Sequence, residues 1–113
     1  MMDMSVHEAP SVLAAEMRRI ANNSLLKATK HLEKIVSRNG KQAESLPDPG
    51  NLRLSALYLR DAADYIDIAY DLGGHKLKSA ARIARNLESS ARDEIPANVW
   101  NFLLQYMDGV QAR

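Results

Sequence analysis

The sequence predicts an all-α fold, a four-helix antiparallel bundle-like domain with two long helices and a short C-terminal helix. Apolar residues recur at helical spacing through most of the chain, and no stretch alternates as a strand would. Segments rich in Gly and Pro separate the periodic stretches. The 113 residues suit one domain with a modest core. Residues 1–10 are predicted to form a flexible N-terminal arm, and residues 11–113 the single helical domain.

The first helix is predicted from about Ser11 to Arg38. The pair Asn22-Asn23 could interrupt it, but apolar residues before and after this pair stand on the same face. One continuous helix is therefore favoured. Asn39-Gly40 is the predicted stop, because Gly and Asn commonly end helices.

Three further helices follow a predicted loop over residues 39–51, where two prolines and two glycines oppose helix formation. They are predicted over about Leu52–Leu72, His75–Glu94 and Ala97–Asp108. The connection Gly73-Gly74 is short, so it predicts a helical hairpin of the second and third helices. Pro96 is typical of a residue that opens a helix.

The second helix is apolar on nearly all sides. A polar stripe separates two apolar faces on a helical wheel, and all of its members lie within about 40° of Arg53; it comprises Arg53, Arg60, Asp64, Asp67 and Asp71. The first apolar face comprises Leu52, Ala56, Leu59, Ala63, Ile66 and Tyr70, and the second Leu54, Tyr58, Tyr65, Ile68 and Leu72. Because a helix packed on one side needs a single apolar stripe, this helix has more apolar surface than such a position requires.

Two explanations of this excess stay open. The helix lies at the centre of the bundle, or one of its faces meets another chain. The second is favoured, because a small bundle would otherwise leave a large exposed apolar patch, which monomers seldom have. It predicts a homodimer or a protein partner. The predicted interface comprises Leu54, Tyr58, Asp61, Tyr65, Ile68 and Leu72 of the second helix, with Phe102 and Tyr106 of the fourth.

The sequence offers no catalytic, cofactor-binding or metal-binding constellation. The chain has no cysteine, and His7, His31 and His75 lack the spacing of metal ligands. The aspartates of the second helix share their stripe with arginines, so a solvated charged face is the favoured interpretation. We therefore predict a non-enzymatic protein without cofactors. No apolar run predicts a membrane span, and the first residues lack the pattern of a secretory signal, so a cytoplasmic location is expected.

DNA binding is the alternative function. The net charge is +1, but the third helix is basic, and the stretch "IAYDLGGHKLKSAARIARNL" partly follows a helix-turn-helix. The candidate DNA-binding residues are Lys76, Lys78, Arg82 and Arg85. The pattern then departs from the motif, because Gly74 and Ser79 stand where apolar residues normally anchor the turn and the second helix.

The length, the all-helical plan and the run "SALYLRDAADYIDIAYDLGGHKLKSAARIARNLESSARDEI" resemble the small bacterial quorum-sensing antiactivators of the QslA type. This overall resemblance covers nearly the whole chain and includes no signature motif. It implies a homodimeric helical protein that binds a LuxR-type quorum-sensing transcription factor. Binding would block dimerisation of that activator or its attachment to DNA. It assigns no contact residue in this chain.

Overall fold

The computed structural model describes residues 8–41 and 49–107, which hold five α-helices and no strand. The helices are α1 (Glu8–Lys41), α2 (Pro49–Gly73), α3 (Leu77–Asn86), α4 (Ser89–Asp93) and α5 (Ala97–Leu104). The predicted all-α class is confirmed. Residues 8–10, predicted as part of a flexible arm, belong to α1. Residues 1–7 and the predicted end of the last helix at Asp108 lie outside the described ranges.

The helix α1 is continuous through Asn22-Asn23, as predicted, and its 34 residues span about 51 Å. The predicted stop at Asn39-Gly40 was wrong, because α1 ends at Lys41. A helical Gly costs only about 1 kcal/mol relative to Ala, which a long packed helix tolerates. The helix α2 begins at Pro49, earlier than predicted, since proline suits the first helical turn.

The predicted helix over residues 75–94 is divided into α3 and α4. Leu87 and Glu88 interrupt it in an extended conformation, with ψ of 148° and 158°. The guanidinium of Arg92 donates hydrogen bonds to the backbone oxygens of Leu87 at 3.0 Å and of Arg85 at 3.3 Å. These bonds satisfy carbonyls at the end of α3 that a continuous helix would have satisfied internally. The break also leaves Leu87 buried.

The turn between α2 and α3 confirms the predicted hairpin. The amides of His75 and Lys76 donate to the carbonyl oxygens of Leu72 at 3.2 Å and Asp71 at 2.8 Å, which is the pattern of a Schellman motif. His75 occupies the left-handed position of this motif, with φ 59°, which glycine more often takes. His75 therefore closes α2, and α3 begins after Lys76.

The helices α1 and α2 run antiparallel, and α3, α4 and α5 cover one end of this pair. Ala80, Ala81 and Ala84 are fully buried, so α3 approaches α2 closely, and α5 packs on α3 and α1 through Val99 and Leu103. The other end of the pair, residues 28–41 of α1 and 49–60 of α2, is called the two-helix arm here. Its described side chains include only three buried ones, Ala28, Ile35 and Ser55.

Candidate protein-interaction surface

The structure reverses the expected roles of the two apolar faces of α2. Tyr65 is 2% exposed, and Ile68 and Leu72 are fully buried, so these predicted interface residues belong to the core. The hydroxyl of Tyr65 donates a buried hydrogen bond of 2.8 Å to the carbonyl oxygen of Ala91. These three side chains reach no partner while the domain is folded. They hold α2 against the neighbouring helices at the end of the α1–α2 pair that α3, α4 and α5 cover, which is called the body here.

The other predicted interface residues are spread over several environments. Leu54 is exposed on the two-helix arm, whereas Asp61 is buried beside the core. Tyr58 is half-buried, and its ring stacks on that of His31 with 5.6 Å between ring centroids. Phe102 and Tyr106 are half-buried and pack against the core cluster, and the centres of their rings are 5.6 Å apart. The structure therefore does not bring the eight predicted residues together on one surface.

The first apolar face, which the predicted interface left out, is instead the one that α2 exposes. We call this surface the open face; it comprises Leu52, Ala56, Leu59, Ala63, Ile66 and Tyr70. Leu52 and Leu59 are each 44% exposed and Tyr70 is 77% exposed. Ala56 and Ala63 are exposed, and Ile66 is half-buried. The stripe extends for about 27 Å along one helix.

One side of α1 borders the open face. Arg18 lines a small cavity together with Ile66 and Tyr70. Leu25 and Leu32 follow Arg18 at intervals of seven residues, so all three stand on the same side of α1. Leu25 is 41% exposed and Leu32 is 39% exposed. The apolar surface therefore continues from α2 across the groove to α1.

Charged side chains form the opposite border of the open face. Arg53, Arg60 and Asp67 follow one another at seven-residue intervals along α2, and all three are exposed. The guanidinium of Arg60 forms an ion pair of 3.0 Å with Glu88, which precedes α4, and both side chains are more than half exposed. Such exposed pairs contribute little stability, about 0–1 kcal/mol. Their position between apolar surface and solvent is typical of the polar rim of a protein interface.

Asp61 lines a polar cavity of about 240 Å³ between α1, α2 and α4. The other lining residues are Ile20, Ser24, Lys27, Leu57, Tyr58, Tyr65, Ser90 and Glu94. The ammonium of Lys27 lies 3.3 Å from a carboxylate oxygen of Glu94 and 5.6 Å from the centre of the Tyr58 ring. The hydroxyl of Ser24 donates to the carbonyl oxygen of Tyr58 at 2.8 Å. These contacts connect α1 with α2 and with Glu94, which follows α4.

Burial raises the pKa of the Asp61 carboxyl above the ordinary value of 3.8, and Asp64 and Glu88 act in the same direction. Arg60 and Lys27 oppose this rise but do not cancel it. The folded state therefore binds a proton at Asp61 more readily than the unfolded state does. The contribution of this group to stability is complete below pH 3.8 and is lost as the pH rises through the higher pKa of the folded state.

Replacement of Asp61 by Asn is expected to raise the free energy of unfolding at pH 7 relative to the original protein. The reason is that Asn removes a disfavoured charge, and the difference should shrink as the pH falls through the raised pKa of the folded state and should be absent below 3.8. Urea unfolding at pH 7 and pH 3.5 measures it. The exposed Asp93 provides the control, because Asp93→Asn removes the same charge outside the cavity. A fall in stability at pH 7 for Asp61→Asn would contradict the assignment.

The candidate DNA-binding residues share the outer surface of the third helix. Lys78, Arg82 and Arg85 fall within about 60° on the α3 wheel, and they and Lys76 are exposed. The turn before α3 is the Schellman motif of α2, and it holds Gly74 where a helix-turn-helix has an apolar anchor. The long α2 continues far beyond the length that this motif uses. The basic surface is present, but the framework differs from a helix-turn-helix.

Within residues 8–41 and 49–107, no group of three His, Asp or Glu side chains is placed to hold a metal ion. No helix in the same ranges is long and apolar enough to cross a membrane. The members of the open face are evident in the sequence from the seven-residue spacing of Leu52, Leu59 and Ile66, but this spacing carries no signal that the face is exposed. Comparison of the chain with protein-family models, curated proteins and solved structures finds no match.

Proposed function

We propose that this protein is a non-enzymatic regulator that acts by protein–protein contact through the open face. The observation that carries the proposal is the exposure of Leu52, Leu59 and Tyr70 on one straight helix. A continuous apolar patch with a charged border is typical of a surface that binds another protein. Because α2 is anchored by its buried side, the stripe is a preformed surface that loses little conformational entropy on binding.

The proposed partner is a LuxR-type quorum-sensing transcription factor, and this choice rests on the resemblance to QslA-type antiactivators. An activator that dimerises to bind DNA must bury apolar surface between its subunits. A regulator that covers that surface depletes the active dimer by mass action, because bound monomers leave the dimerisation equilibrium. Inhibition of this kind needs no catalytic group.

The test is direct binding to the ligand-binding domain of a LuxR-type activator from the same host. Leu59→Asp is expected to weaken binding at least about tenfold, because it places a charge in the centre of the open face. Titration calorimetry measures the Kd, and light scattering measures whether the activator remains dimeric. Leu26→Asp is the matched control, since Leu26 is 61% exposed on α1 and stands away from the α2 side of that helix.

Two results would contradict the proposed function. One is the absence of binding by the folded original protein. The other is an equal Kd for the Leu59→Asp and Leu26→Asp variants. Far-UV circular dichroism of both variants should match that of the original protein, because both leucines are exposed in the structure.

DNA binding remains the second candidate, and the clustering of Lys78, Arg82 and Arg85 on α3 favours it. Phosphate contacts of this kind make binding fall steeply with salt. The double variant Lys78→Ala/Arg82→Ala should then weaken binding and reduce the slope of log K against log salt by about 2. Arg19→Ala on α1 is the control. A folded protein that shifts no DNA in a gel at low salt would exclude this function.

A further inference from the structure

We propose that the open face binds a second copy of this chain, with the two α2 helices antiparallel. This inference goes beyond the proposed function, because self-association does not depend on the identity of any other partner. Three properties of α2 favour a second copy as the partner of the open face. They are the spacing of its exposed apolar residues, the alternation of their sizes and the charges along one border. Each property is satisfied by a copy of the same helix in the reverse direction.

The open face has the spacing of a coiled-coil seam. Its members alternate at intervals of four and three residues from Leu52 to Tyr70. Leu52, Leu59 and Ile66 take d positions of a heptad, and Ala56, Ala63 and Tyr70 take a positions. This repeat covers almost three heptads on the exposed side, whereas the buried side of α2 packs on α1 and α3. A seam of this kind is complementary to another helix with the same repeat.

The side-chain sizes favour an antiparallel copy. In that orientation a residue at heptad position a of one helix packs level with a residue at position d of the other. This sets Ala56 opposite Ile66 and Leu59 opposite Ala63. These central layers combine a small side chain with a large one, so the helices can approach closely there, whereas the outermost layers set Leu52 opposite Tyr70. A parallel copy would instead set Ala63 against Ala63 and leave gaps between layers of leucine.

The charges along the border also favour the antiparallel orientation. The antiparallel register has its two-fold axis near residue 61 of α2, so Arg53 of one copy lies within one turn of Asp67 of the other. The symmetry creates this opposite-charge pair twice. Arg60 lies near its own equivalent at the axis, but each Arg60 already pairs with Glu88 of its own chain. In a parallel dimer the residues facing Arg60 and Asp67 would be Ser55, Ala62 and Ala69, which carry no charge.

The helix α1 extends the contact on the other border. Leu25 and Leu32 are exposed on the side of α1 that continues the open face. Two copies joined along α2 bring these leucines toward the other copy and form a four-helix arrangement of two α1 and two α2 helices. The apolar surface of the two-helix arm, which the body of one copy leaves uncovered, is then covered in the dimer.

Single-cysteine variants test the register, since the chain has no cysteine of its own. Arg60→Cys is expected to be cross-linked to its copy by a short thiol reagent, because residues 60 of the two chains lie close to the axis. Arg53→Cys is not, since the antiparallel register separates these residues by about 24 Å along the helices. The double variant Arg53→Cys/Asp67→Cys should be cross-linked again. Equal cross-linking of the Arg53→Cys and Arg60→Cys variants would overturn the antiparallel orientation.

Ala63→Glu tests whether the open face is the contact. Ala63 is exposed in the single chain, so the variant should fold, but the larger charged side chain replaces the small member of a central layer. Sedimentation equilibrium of the original protein should give a dimer, and Ala63→Glu should raise the dimer Kd at least about tenfold. Ala15→Glu, at an exposed position on α1, should leave the Kd unchanged.

A monomeric mass at all concentrations up to about 200 µM, which corresponds to a Kd weaker than about 1 mM, would overturn the dimer. A dimer that Ala63→Glu leaves intact would overturn the use of this face. Binding of the activator domain is measured separately on the same variants. A chain that is monomeric but loses activator binding on Ala63→Glu would place the activator on the open face and refute the second copy alone. The two proposals therefore fail in distinguishable ways.

Discussion

Ile68→Arg is expected to unfold the protein. Ile68 is fully buried between α2 and the rest of the core, so the substitution removes its packing and introduces a charge that has no partner there. Loss of the packing alone costs about 2–5 kcal/mol, and the buried charge adds to it. The total approaches the 5–15 kcal/mol that typically separates folded and unfolded states. Far-UV circular dichroism and urea unfolding measure the loss of helix and stability.

Leu59→Arg is the matched control for this variant. It introduces the same side chain in the same helix, but Leu59 is 44% exposed on the open face. The helical signal should be retained, and the free energy of unfolding of the monomer should change by about 0.5 kcal/mol or less. The comparison distinguishes the two faces of α2 directly. A folded Ile68→Arg protein together with an unfolded Leu59→Arg protein would show that the faces are assigned the wrong way round.

Tyr65→Ala is expected to lower the free energy of unfolding by about 3–5 kcal/mol, because it removes a large aromatic side chain from the core. It also leaves the carbonyl oxygen of Ala91 without its hydrogen bond of 2.8 Å. Burial raises the pKa of the Tyr65 hydroxyl far above its ordinary value, so the group stays protonated and donates that bond. Tyr65→Phe keeps the ring and should cost about 1–2 kcal/mol.

Tyr70→Ala is the control for the effect of losing a tyrosine from α2. Tyr70 is 77% exposed, so the monomer should lose about 0.5 kcal/mol or less in urea unfolding at low protein concentration. An effect of Tyr70→Ala as large as that of Tyr65→Ala would contradict the burial pattern. Equal stability of Tyr65→Phe and the original protein would show instead that the bond to Ala91 contributes nothing.

The existence of most of the helices could be predicted from periodicity, but several of their ends could not. The continuity of α1 through Asn22-Asn23 follows from an apolar phase that the sequence displays. The extension through Gly40 departs from the usual preference of Asn-Gly for helix ends, and the break at Leu87 depends on its burial and on the hydrogen bonds donated by the Arg92 side chain. Local composition does not reveal either outcome. A single helical glycine has only a small energetic cost. An extended Leu87 is stabilised only by its buried surroundings.

The candidate surface could be predicted only in part. The sequence shows that α2 has two apolar faces, and the wheel assigns their members correctly. It does not say which face the rest of the chain covers. That choice depends on where α1 and α3 lie around α2, and the turn at Gly74-His75 sets the side on which α3 returns. Tyr65 and Tyr70 are indistinguishable by composition, although one is in the core and the other is exposed.

The uneven thickness of the molecule has a consequence for local unfolding. In the body, α1 is held by several helices, whereas in the two-helix arm it has α2 as its only described neighbour. The described side chains of the arm also bury little apolar surface. The two ends of α1 therefore belong to different cooperative units, and the arm opens at a lower free energy than the body does. Amide hydrogen exchange of the monomer along this one unbroken helix should accordingly become faster from Met17 toward Ile35.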